Sequence, residues 1–414
     1  MSGKVHIVGA GLSGLAAAVT LASRGVPVNV YEAAGFAGGR CRSYLDPHLN
    51  RIIDNGNHLI LSGNRAAFAY LRTIGAAKKF IAPPHAEYAF ADIARGTRWA
   101  IRANDGAFPA WIFSRSHRVP GTRAFDYLKL LALARGSDAP LGGGHPHGAL
   151  WERLMRPFLI AALNTEPEAA SRNLIAEVMR ETLFAGGKAY KPRIAKPTLA
   201  SAFVDPALMY LRKNGAPIHF GQRLQGFRSV DDRVAALGFP HEVFVSRRDA
   251  VVLAVPAPIA ASLVPGLTVP DDFRAIVSGH FACPPPPGTP PIMGVIGGTV
   301  EWIFAFEDRI SVTVSNADGI ADRDRAELAD VFWRDVCSAL GLKDPLPSWQ
   351  IVKEKRATFA ATPEQDRKRP HAKTAYSNLF LAGDWTQTGL PATIEGAIRS
   401  GQRAAELAFL HTSM

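Results

Sequence analysis

The sequence predicts an α/β fold in which a parallel-sheet domain is assembled from separated parts of the chain and carries an inserted α+β domain. Three features predict this arrangement: a strand–loop–helix–strand unit at the N-terminus, a strand followed by a helix start at the C-terminus, and alternating strand patterns between them. The motifs in the two end units require them to meet in space, so we expect the parallel-sheet domain to be discontinuous.

The N-terminal unit has the order strand, glycine loop, helix, strand. Residues 5–8 form a short apolar run, residues 12–24 have helical spacing and are rich in alanine, and residues 28–31 form a second apolar run. Between the first run and the helix stands a G-x-G-x-x-G motif, formed by Gly9, Gly11 and Gly14. In this context the motif predicts a Rossmann-type dinucleotide-binding domain.

Each part of the glycine loop has a physical role. Gly9 permits a tight turn, Gly11 lets the backbone approach a pyrophosphate, and Gly14 lets the helix pack on the sheet. Leu12 and Ser13 begin the helix, whose free N–H groups and partial positive charge favour a phosphate group. These five residues are therefore candidate cofactor-binding residues.

An acidic residue completes the motif. Glu32 ends the second strand, 18 residues after Gly14, and its carboxylate can accept hydrogen bonds from a ribose. The alternative interpretation is a secretory signal peptide, since the stretch is apolar and N-terminal. Apart from Lys4 the charged start of such a signal is missing, and a signal peptide gives the glycines no role.

The stretch that follows, AAGFAGGRCRSY, distinguishes two kinds of dinucleotide. With Gly39 and Arg40 in a G-G-R segment, the chain resembles the FAD-binding superfamily of amine oxidases and phytoene desaturases. The resemblance implies an FAD cofactor whose pyrophosphate charge is neutralised by Arg40. The alternative is that Arg40 is a solvated loop arginine.

The C-terminal unit, LFLAGDWTQTGLPATIEGAIRSG, spans residues 379–401. In the same superfamily a late Gly-Asp pair, here Gly383 and Asp384, hydrogen-bonds the ribityl chain or the pyrophosphate. The resemblance also implies that the next helix points its N-terminus at the flavin ring, where it would stabilise the anionic reduced flavin. The backbone assigned to this helix start is Ala392, Thr393 and Ile394. Glu395 suits the first turn of a helix at least as well as any catalytic role.

A third piece of the same domain lies in the middle of the chain. Residues 217–239 and 242–258 read as a strand, a hairpin-like pair and a buried strand followed by a loop. The resemblance implies that the backbone at Leu224 contacts adenine. We therefore assign residues 1–63, 198–263 and 351–414 to the FAD-binding domain, and residues 64–197 and 264–350 to a substrate-binding domain. The latter contains alternating strands, a stiff proline loop over 284–291 and a helix over 323–340.

Composition gives the broad class of protein. The 414 residues are 47% hydrophobic and 20% charged, which is ordinary for a soluble protein. The three cysteines are widely spaced and show neither a metal-ligand pattern nor a disulfide framework, so we expect a cytoplasmic protein without a metal. No second G-x-G-x-x-G with the required context is present, so an external electron donor, whose identity the sequence leaves open, must reduce the flavin.

A basic and aromatic stretch stands out against the formal net charge of +11. Residues 91–135 contain eight basic and three acidic side chains, with two tryptophans and three phenylalanines among them, and residues 125–135 predict a short amphipathic helix. This pattern is typical of a surface that rests on anionic lipid, and it predicts peripheral contact with the inner face of the bacterial cytoplasmic membrane. No nucleic-acid motif is present. The alternative is a solvated basic face over core aromatic residues.

Four further segments narrow the resemblance: residues 52–76, 162–171, 301–319 and 352–365. Together with the C-terminal unit they resemble the hydroxysqualene dehydroxylase family, also called squalene-associated FAD-dependent desaturases. The resemblance implies reduction of hydroxysqualene to squalene in bacterial hopanoid biosynthesis, with hydride passing from reduced flavin N5 to an allylic cation. It also implies a hydrophobic isoprenoid substrate and contact with upstream enzymes of the squalene pathway. The family usually has glutamine where this chain has Asn57.

The implied reaction needs an acid to protonate the departing hydroxyl. His58 is the preferred candidate, because an imidazolium can donate a proton near neutral pH. Asn55 and Asn57 are candidates for orienting water or the hydroxyl, and Lys355 is a weaker candidate for stabilising reduced flavin. The alternating residues Trp302, Phe304 and Phe306 share one face of a predicted strand, which either lines a dry tunnel that stabilises the cation or packs in the core.

Three other functions remain open at this point. A carotenoid-precursor desaturase has the same fold with the opposite direction of electron flow. An amine oxidase is less favoured, since a basic protein is a poor electrostatic match for a cationic amine. A non-catalytic flavin protein that passes lipid between membrane enzymes is the third.

Overall fold

The computed structural model of the protein describes residues 3–413. The strands, in chain order, are β1 (Val5–Val8), β2 (Val28–Tyr31), β3 (Ser43–Asp46), β4 (Arg51–Asp54), β5 (Leu59–Leu61), β6 (Phe80–Ile81), β7 (Ala86–Asp92), β8 (Thr97–Ala103), β9 (Pro192–Ala195), β10 (Ile218–His219), β11 (Gly226–Val230), β12 (Arg233–Gly238), β13 (Glu242–Phe244), β14 (Ala250–Leu253), β15 (Phe273–Phe281), β16 (Ile292–Ile296), β17 (Trp302–Ala305), β18 (Ile310–Val314), β19 (Trp349–Phe359) and β20 (Leu379–Leu381). The α-helices are α1 (Leu12–Ala22), α2 (Arg65–Thr73), α3 (Arg156–Leu163), α4 (Arg172–Glu181), α5 (Asp205–Lys213), α6 (Ala257–Leu263), α7 (Arg325–Leu340), α8 (Pro363–Arg367) and α9 (Ile394–Thr412).

The first domain is built on a five-stranded parallel sheet with the order β10-β2-β1-β14-β20. β1 lies between β2 and β14, and β14 pairs in turn with β20. Every residue of β1, β14 and β20 is buried, as expected for parallel strands covered on both faces. Because strands from the two ends and the middle of the chain meet in one sheet, the predicted discontinuous Rossmann-type domain is confirmed.

Helices α1 and α9 lie side by side on this sheet, and glycines set how closely they approach it and each other. A Cβ on Gly14 would lie 2.0 Å from the backbone oxygen of Gly9, so the helix can pack on the loop only with glycine there. A Cβ on Gly401 would lie 2.1 Å from the backbone oxygen of Ser13. The C-terminal helix is therefore locked against the helix that follows the glycine loop.

The second domain is built on a seven-stranded sheet with the order β19-β15-β18-β17-β16-β7-β8. Its pairs are antiparallel except for β16 with β7. One face packs on α7, where Phe332 is fully buried against Val312 and Ile303. This is the predicted inserted α+β domain, and the helix predicted over 323–340 is present as α7, capped by Asp324.

Three local predictions differ from the structure. β19 pairs with β15 in the seven-stranded sheet, so the last segment of the first domain begins after Phe359 rather than at residue 351. The predicted loop after β14 contains the short helix α6, because Pro256 and Pro258 stand at its start, where a missing N–H costs nothing. The predicted amphipathic helix over 125–135 is a run of 3₁₀ turns, Ala124–Ala134.

Within residues 3–413, no helix has both the length and the apolar composition that crossing a membrane requires.

Candidate active site

The glycine loop lies between β1 and α1 and leaves open space at the start of the helix. Gly9 has a φ of +105°, and a Cβ there would lie 2.3 Å from the carbonyl oxygen of Ala254, so the turn requires glycine. At Gly11 a Cβ would meet no atom within 4 Å. Gly11 is the N-cap of α1 and provides no side-chain cap. The first-turn N–H groups, which include those of Leu12 and Ser13, are therefore available to a phosphate.

Glu32 lies beside this loop at the end of β2. Its Oε2 accepts a hydrogen bond from the Ala10 N–H at 2.7 Å, and its Oε1 accepts one from the Ala34 N–H at 2.8 Å. The segment that leads to Leu224 passes the same strand end, since the Gln222 N–H donates to the Glu32 carbonyl at 2.8 Å. The structure thus places the predicted ribose acid and the predicted adenine-contacting backbone at one end of the sheet.

The two halves of the predicted site meet at an ion pair. Arg40 donates from Nη2 to both carboxylate oxygens of Asp384, at 2.7 and 2.8 Å, across 344 residues of sequence. It also donates from Nη1 to the Ala357 carbonyl. Gly39 lies next to the glycine loop, because a Cβ on it would be 3.4 Å from the Gly11 Cα. Arg40 therefore bridges the N-terminal loop and the C-terminal Gly-Asp segment, while 43% of its side chain remains exposed to solvent.

The loop that follows Asp384 is held by an arginine that the sequence did not single out. The side chain of Arg369 is buried and donates to the carbonyl oxygens of Thr386 and Asp384 and to Oγ1 of Thr388. An ion pair with Asp366 at 3.0 Å balances its charge, although burial lowers its pKa from the ordinary arginine value. Only the run of basic residues before Pro370 hinted at it, and such runs usually face solvent.

The C-terminal helix starts where the sequence predicted. Thr393 is the N-cap of α9 and accepts a hydrogen bond from the Gly396 N–H at 3.0 Å, which places Ala392 before the helix and Ile394 at its first position. The Gly383 N–H donates to Ser400 Oγ at 2.9 Å, so the Gly-Asp segment is fixed to the first turns of the same helix.

The segment DNGNH, residues 54–58, connects the two domains. Asn55 donates from Nδ2 to Glu354 on β19 at 3.2 Å. Asn57 donates to the Val312 carbonyl at 3.1 Å and to Thr313 Oγ1 at 3.2 Å, both on β18. His58 follows directly, and burial lowers the pKa of its imidazole below the ordinary value of 6.5, with Asp54 acting in the opposite direction. Two of the three candidate residues therefore fix the loop to the inserted sheet, next to the third.

The face of the inserted sheet that this loop contacts carries a polar ladder beside aromatic rings. His280 on β15, Ser311 on β18 and Phe304 on β17 are register partners, and Ser278, Thr313 and Trp302 form the next row. His280 Nδ1 lies 2.8 Å from Ser311 Oγ. Trp302 and Phe304 lie on the ladder face of β17, and Phe306, one residue past the end of the strand, is buried in the same core.

Several buried polar atoms at this ladder have no hydrogen-bond partner among the described residues. They are Asn57 Oδ1, Ser278 Oγ, His280 Nε2, Trp302 Nε1, and Nε and Nη2 of Arg309. A buried polar atom without a partner is costly, so atoms of this kind indicate where a ligand or water completes the site. The sequence signal for Ser278 and His280 was present but not used: two polar residues at alternate positions of an otherwise apolar strand.

A histidine and an arginine lie close together at this ladder. Burial, assisted by the nearby Arg309 guanidinium, lowers the pKa of His280 to about 3, so the ring is neutral at physiological pH. Arg309 stands 4.0 Å above the Phe306 ring and bonds Asp308 at 3.0 Å. The ladder therefore combines one buried cation with a neutral imidazole.

Lys355 is not part of this arrangement. It follows Glu354 on β19, and alternate residues of a strand face opposite sides, so contact between Glu354 and Asn55 turns Lys355 away. Its ammonium pairs with Asp322 on the surface. We therefore remove Lys355 from the candidate catalytic residues.

Comparison with known proteins identifies a matching family model and similar full-length proteins. A family model described as flavin containing amine oxidoreductase matches residues 12–408. Hydroxysqualene dehydroxylase of Sinorhizobium fredii is 49% identical and covers 100% of both chains, and that of Rhodopseudomonas palustris is 50% identical and covers 98% of both. A probable zeta-carotene desaturase of Synechococcus elongatus is 25% identical over 97% of this chain and 98% of its own.

Solved structures agree on the fold. An oxidoreductase from Methanosarcina mazei superposes with a TM-score of 0.73 at 15% identity, covering 97% of this chain and 100% of its own. Cyclohexylamine oxidase from Brevibacterium oxydans superposes with a TM-score of 0.71 at 16% identity, covering 100% of both chains.

Proposed function

The chain belongs to the flavin-containing amine oxidoreductase family and, within it, to the hydroxysqualene dehydroxylases, and from this premise we propose that it reduces hydroxysqualene to squalene, with FAD as the flavin. The full-length identity of about one half to enzymes named for this reaction carries the proposal. The place of the reaction is hopanoid biosynthesis, a triterpenoid pathway that consumes squalene.

The residues of the first domain fit FAD rather than a mononucleotide. The open space at Gly11 and the uncapped start of α1 suit a pyrophosphate. Glu32 stands where a ribose hydroxyl can donate to its carboxylate, and Leu224 lies at the same strand end for the adenine. Asp384 and the start of α9 come from the other end of the chain, as a ligand that extends from adenine to a flavin ring requires.

The reaction replaces a hydroxyl by hydrogen at an allylic carbon. The C–O bond breaks with its electron pair on oxygen, one proton converts the departing hydroxyl to water, and a hydride forms the new C–H bond. The reduced flavin, when bound, supplies that hydride. The protein must therefore supply a proton donor, a group that orients the hydroxyl, and surroundings that exclude water from the carbon.

We assign the proton and the orientation to the DNGNH segment. His58 donates the proton, and the unpartnered Oδ1 of Asn57 accepts a hydrogen bond from the hydroxyl or from the water that leaves. Asn55 keeps the loop against β19 through Glu354. Because burial lowers the pKa of His58, its imidazolium is a stronger acid than a solvated one.

We assign stabilisation of the positive charge on the allylic carbon, which forms as the hydroxyl leaves, to the aromatic residues beside the ladder. Trp302 and Phe304 lie in the rows of the sheet that Asn57 contacts through Thr313, and aromatic rings attract a cation when water is excluded. The Phe306 ring already has the Arg309 guanidinium 4.0 Å from its centroid. An external reductant restores the reduced flavin, because the sequence has no second dinucleotide fingerprint. Upstream enzymes of squalene synthesis are the expected source of the insoluble isoprenoid substrate.

The carotene desaturase relative supports a second candidate, FAD-dependent desaturation of a carotenoid precursor. The two reactions separate cleanly in an assay of the purified holoenzyme. With hydroxysqualene and an artificial reductant we expect squalene by mass spectrometry and no product from phytoene with an artificial oxidant. Conversion of phytoene without conversion of hydroxysqualene would reverse the order of the two candidates. Hydrogen peroxide released from an amine in air would instead favour an amine oxidase.

A further inference from the structure

An apolar patch stands on the surface of the inserted domain. It consists of five side chains between residues 108 and 131 that are 56–79% exposed: Phe108, Phe113, Phe125, Leu128 and Leu131. The described residues contain thirteen large apolar side chains that are 42–79% exposed, and no other stretch of comparable length holds five of them. Contiguous exposed apolar surface of this kind marks an interaction site.

Backbone geometry creates part of the patch. In the 3₁₀ run Ala124–Ala134, residues three apart share a face. Tyr127, Leu130 and Leu133 are accordingly buried, at 2–7% exposure, while Phe125, Leu128 and Leu131 form an outward row. In an α-helix the same sequence would spread these side chains over a wider arc.

Buried residues beneath the patch hold its two turns together. Trp111 and Tyr127 lie edge to face with ring centroids 5.2 Å apart, which joins the turn Ala110–Phe113 to the 3₁₀ run. The Val119 N–H donates to the Tyr127 hydroxyl at 3.0 Å. Phe108 and Phe113 stack at 6.2 Å on the outside. The buried faces of both turns belong to one core, so their exposed faces point away from it together.

Exposed cations alternate with the patch residues along this stretch of the chain. Arg115, Arg123 and Arg135 are exposed, and no carboxylate of residues 3–413 lies within ion-pair distance of their guanidinium groups. Lys129 reaches Asp126 only at 3.6 Å, with 61% of its side chain exposed. A partner for this surface must therefore offer negative charge around an apolar interior.

We propose that this patch docks the protein on the surface of an anionic lipid bilayer. The aromatic and leucine side chains enter the boundary between headgroups and acyl chains, and the arginines pair with lipid phosphates. A second copy of the chain does not match, because two such patches face to face would bring their unpaired guanidinium groups together. This inference does not depend on which isoprenoid the enzyme converts.

Flotation of the holoenzyme with vesicles tests the proposal. We use phosphatidylcholine vesicles with and without phosphatidylglycerol, and the variant F125S/L128S/L131S. Wild type should float with the anionic vesicles, less in high salt, and the variant should partition at least about tenfold more weakly. The matched control M209S/F244S removes side chains that are 69% and 71% exposed elsewhere and should float as wild type does.

A second variant separates the contribution of charge. R115E/R123E/R135E leaves the apolar side chains in place and should lose binding to anionic vesicles by about tenfold or more. Because all replaced side chains are exposed, thermal unfolding should stay unchanged. Equal flotation of wild type and both variants, or no flotation of wild type, would overturn the proposal. So would a variant that changes only the molecular mass in solution, since that result identifies a second copy as the occupant.

Discussion

Glu395 and Asn57 are both buried polar side chains near the candidate site, but their hydrogen bonds give them different roles. Glu395 accepts from the N–H groups of Ala66 and Ala67 at 3.0 and 2.9 Å and pairs with Arg399, so it caps the start of α2 from the first turn of α9. All its capacity is used within the protein. The side-chain oxygen of Asn57 has no partner among the described residues, so it can accept a hydrogen bond from a ligand or water.

His58 should control the pH dependence of turnover. Donation requires the imidazolium, whose fraction rises as pH falls, and burial places its pKa below 6.5. We therefore expect kcat to fall as pH rises through a midpoint below 6.5. His58→Gln should lower kcat by about a hundredfold and remove this limb, while the flavin stays bound.

The matched control for this profile is His241→Gln, which changes an exposed histidine on the hairpin of the first domain. His280 cannot cause this fall of kcat with rising pH, because its pKa of about 3 lies outside the assayed range. A His58→Gln enzyme with the pH profile of wild type would exclude His58 as the donor.

Glu301 should make the free energy of unfolding depend on pH. Burial raises its pKa to about 7 in the folded protein, against an ordinary value of 4.5. Between these values the folded state holds more protons than the unfolded state, so the stability linked to this group is present at pH 4.5 and is lost as pH rises through 7. Glu301→Gln should flatten this slope and add on the order of 2 kcal/mol at pH 8.

Thermal unfolding at pH 5 and pH 8 measures this effect, with the exposed Glu406→Gln as control. If both variants follow the wild-type slope, Glu301 is ionised in the folded protein and the assigned effect of burial is incorrect.

The Arg40–Asp384 pair should contribute more to the affinity for FAD than to the free energy of unfolding. Arg40→Gln removes a cation from the expected position of the pyrophosphate, and we expect FAD to bind about tenfold to a hundredfold more weakly. Titration of the apoprotein by flavin fluorescence gives the dissociation constant. Arg228→Gln, on an exposed hairpin, is the control and should leave it unchanged. Equal affinity in both variants would mean that Arg40 serves only to join the two ends of the chain.

At the scale of elements, the sequence predicted the strands and helices that short local motifs determine. β1, α1 and β2 follow from the glycine spacing and the apolar runs, and β20 and α9 follow from the Gly-Asp pair and the capping threonine. The 3₁₀ run at 124–134 was not predicted from hydrophobic spacing, because apolar side chains occupy both its buried row and its outward row. The sheet assignment of β19 depends on its partner β15, which lies about 75 residues earlier in the chain.

The packing of α9 on α1 should be sensitive to one methyl group. Gly401→Ala places a Cβ 2.1 Å from the Ser13 carbonyl oxygen, so α9 must move outward or α1 must shift. We expect about 1–3 kcal/mol of destabilisation in denaturant unfolding, and weaker FAD binding because both helix starts belong to the proposed FAD site. Gln402→Ala, the neighbouring position on the same helix, is the control. Unchanged stability and affinity for Gly401→Ala would show that this contact is not required.

At the scale of the whole molecule, the sequence predicted that both ends of the chain meet in space, and the structure shows this contact between Arg40 and Asp384. It did not predict the polar ladder, because His280, Ser311 and Asn57 come from three distant segments and meet only through strand register. The structure also brings the DNGNH loop, the inserted sheet and the two ends of the chain to one place. We infer that a single reaction takes place at their junction.

The most direct test of this claim is an anaerobic single turnover. The bound flavin is reduced chemically, hydroxysqualene is added, and flavin absorbance is followed while lipid is extracted. We expect the flavin to be reoxidised, with one squalene formed for each flavin oxidised. A flavin that stays reduced with hydroxysqualene present, while oxidised enzyme converts phytoene, would exclude reduction of hydroxysqualene as the reaction.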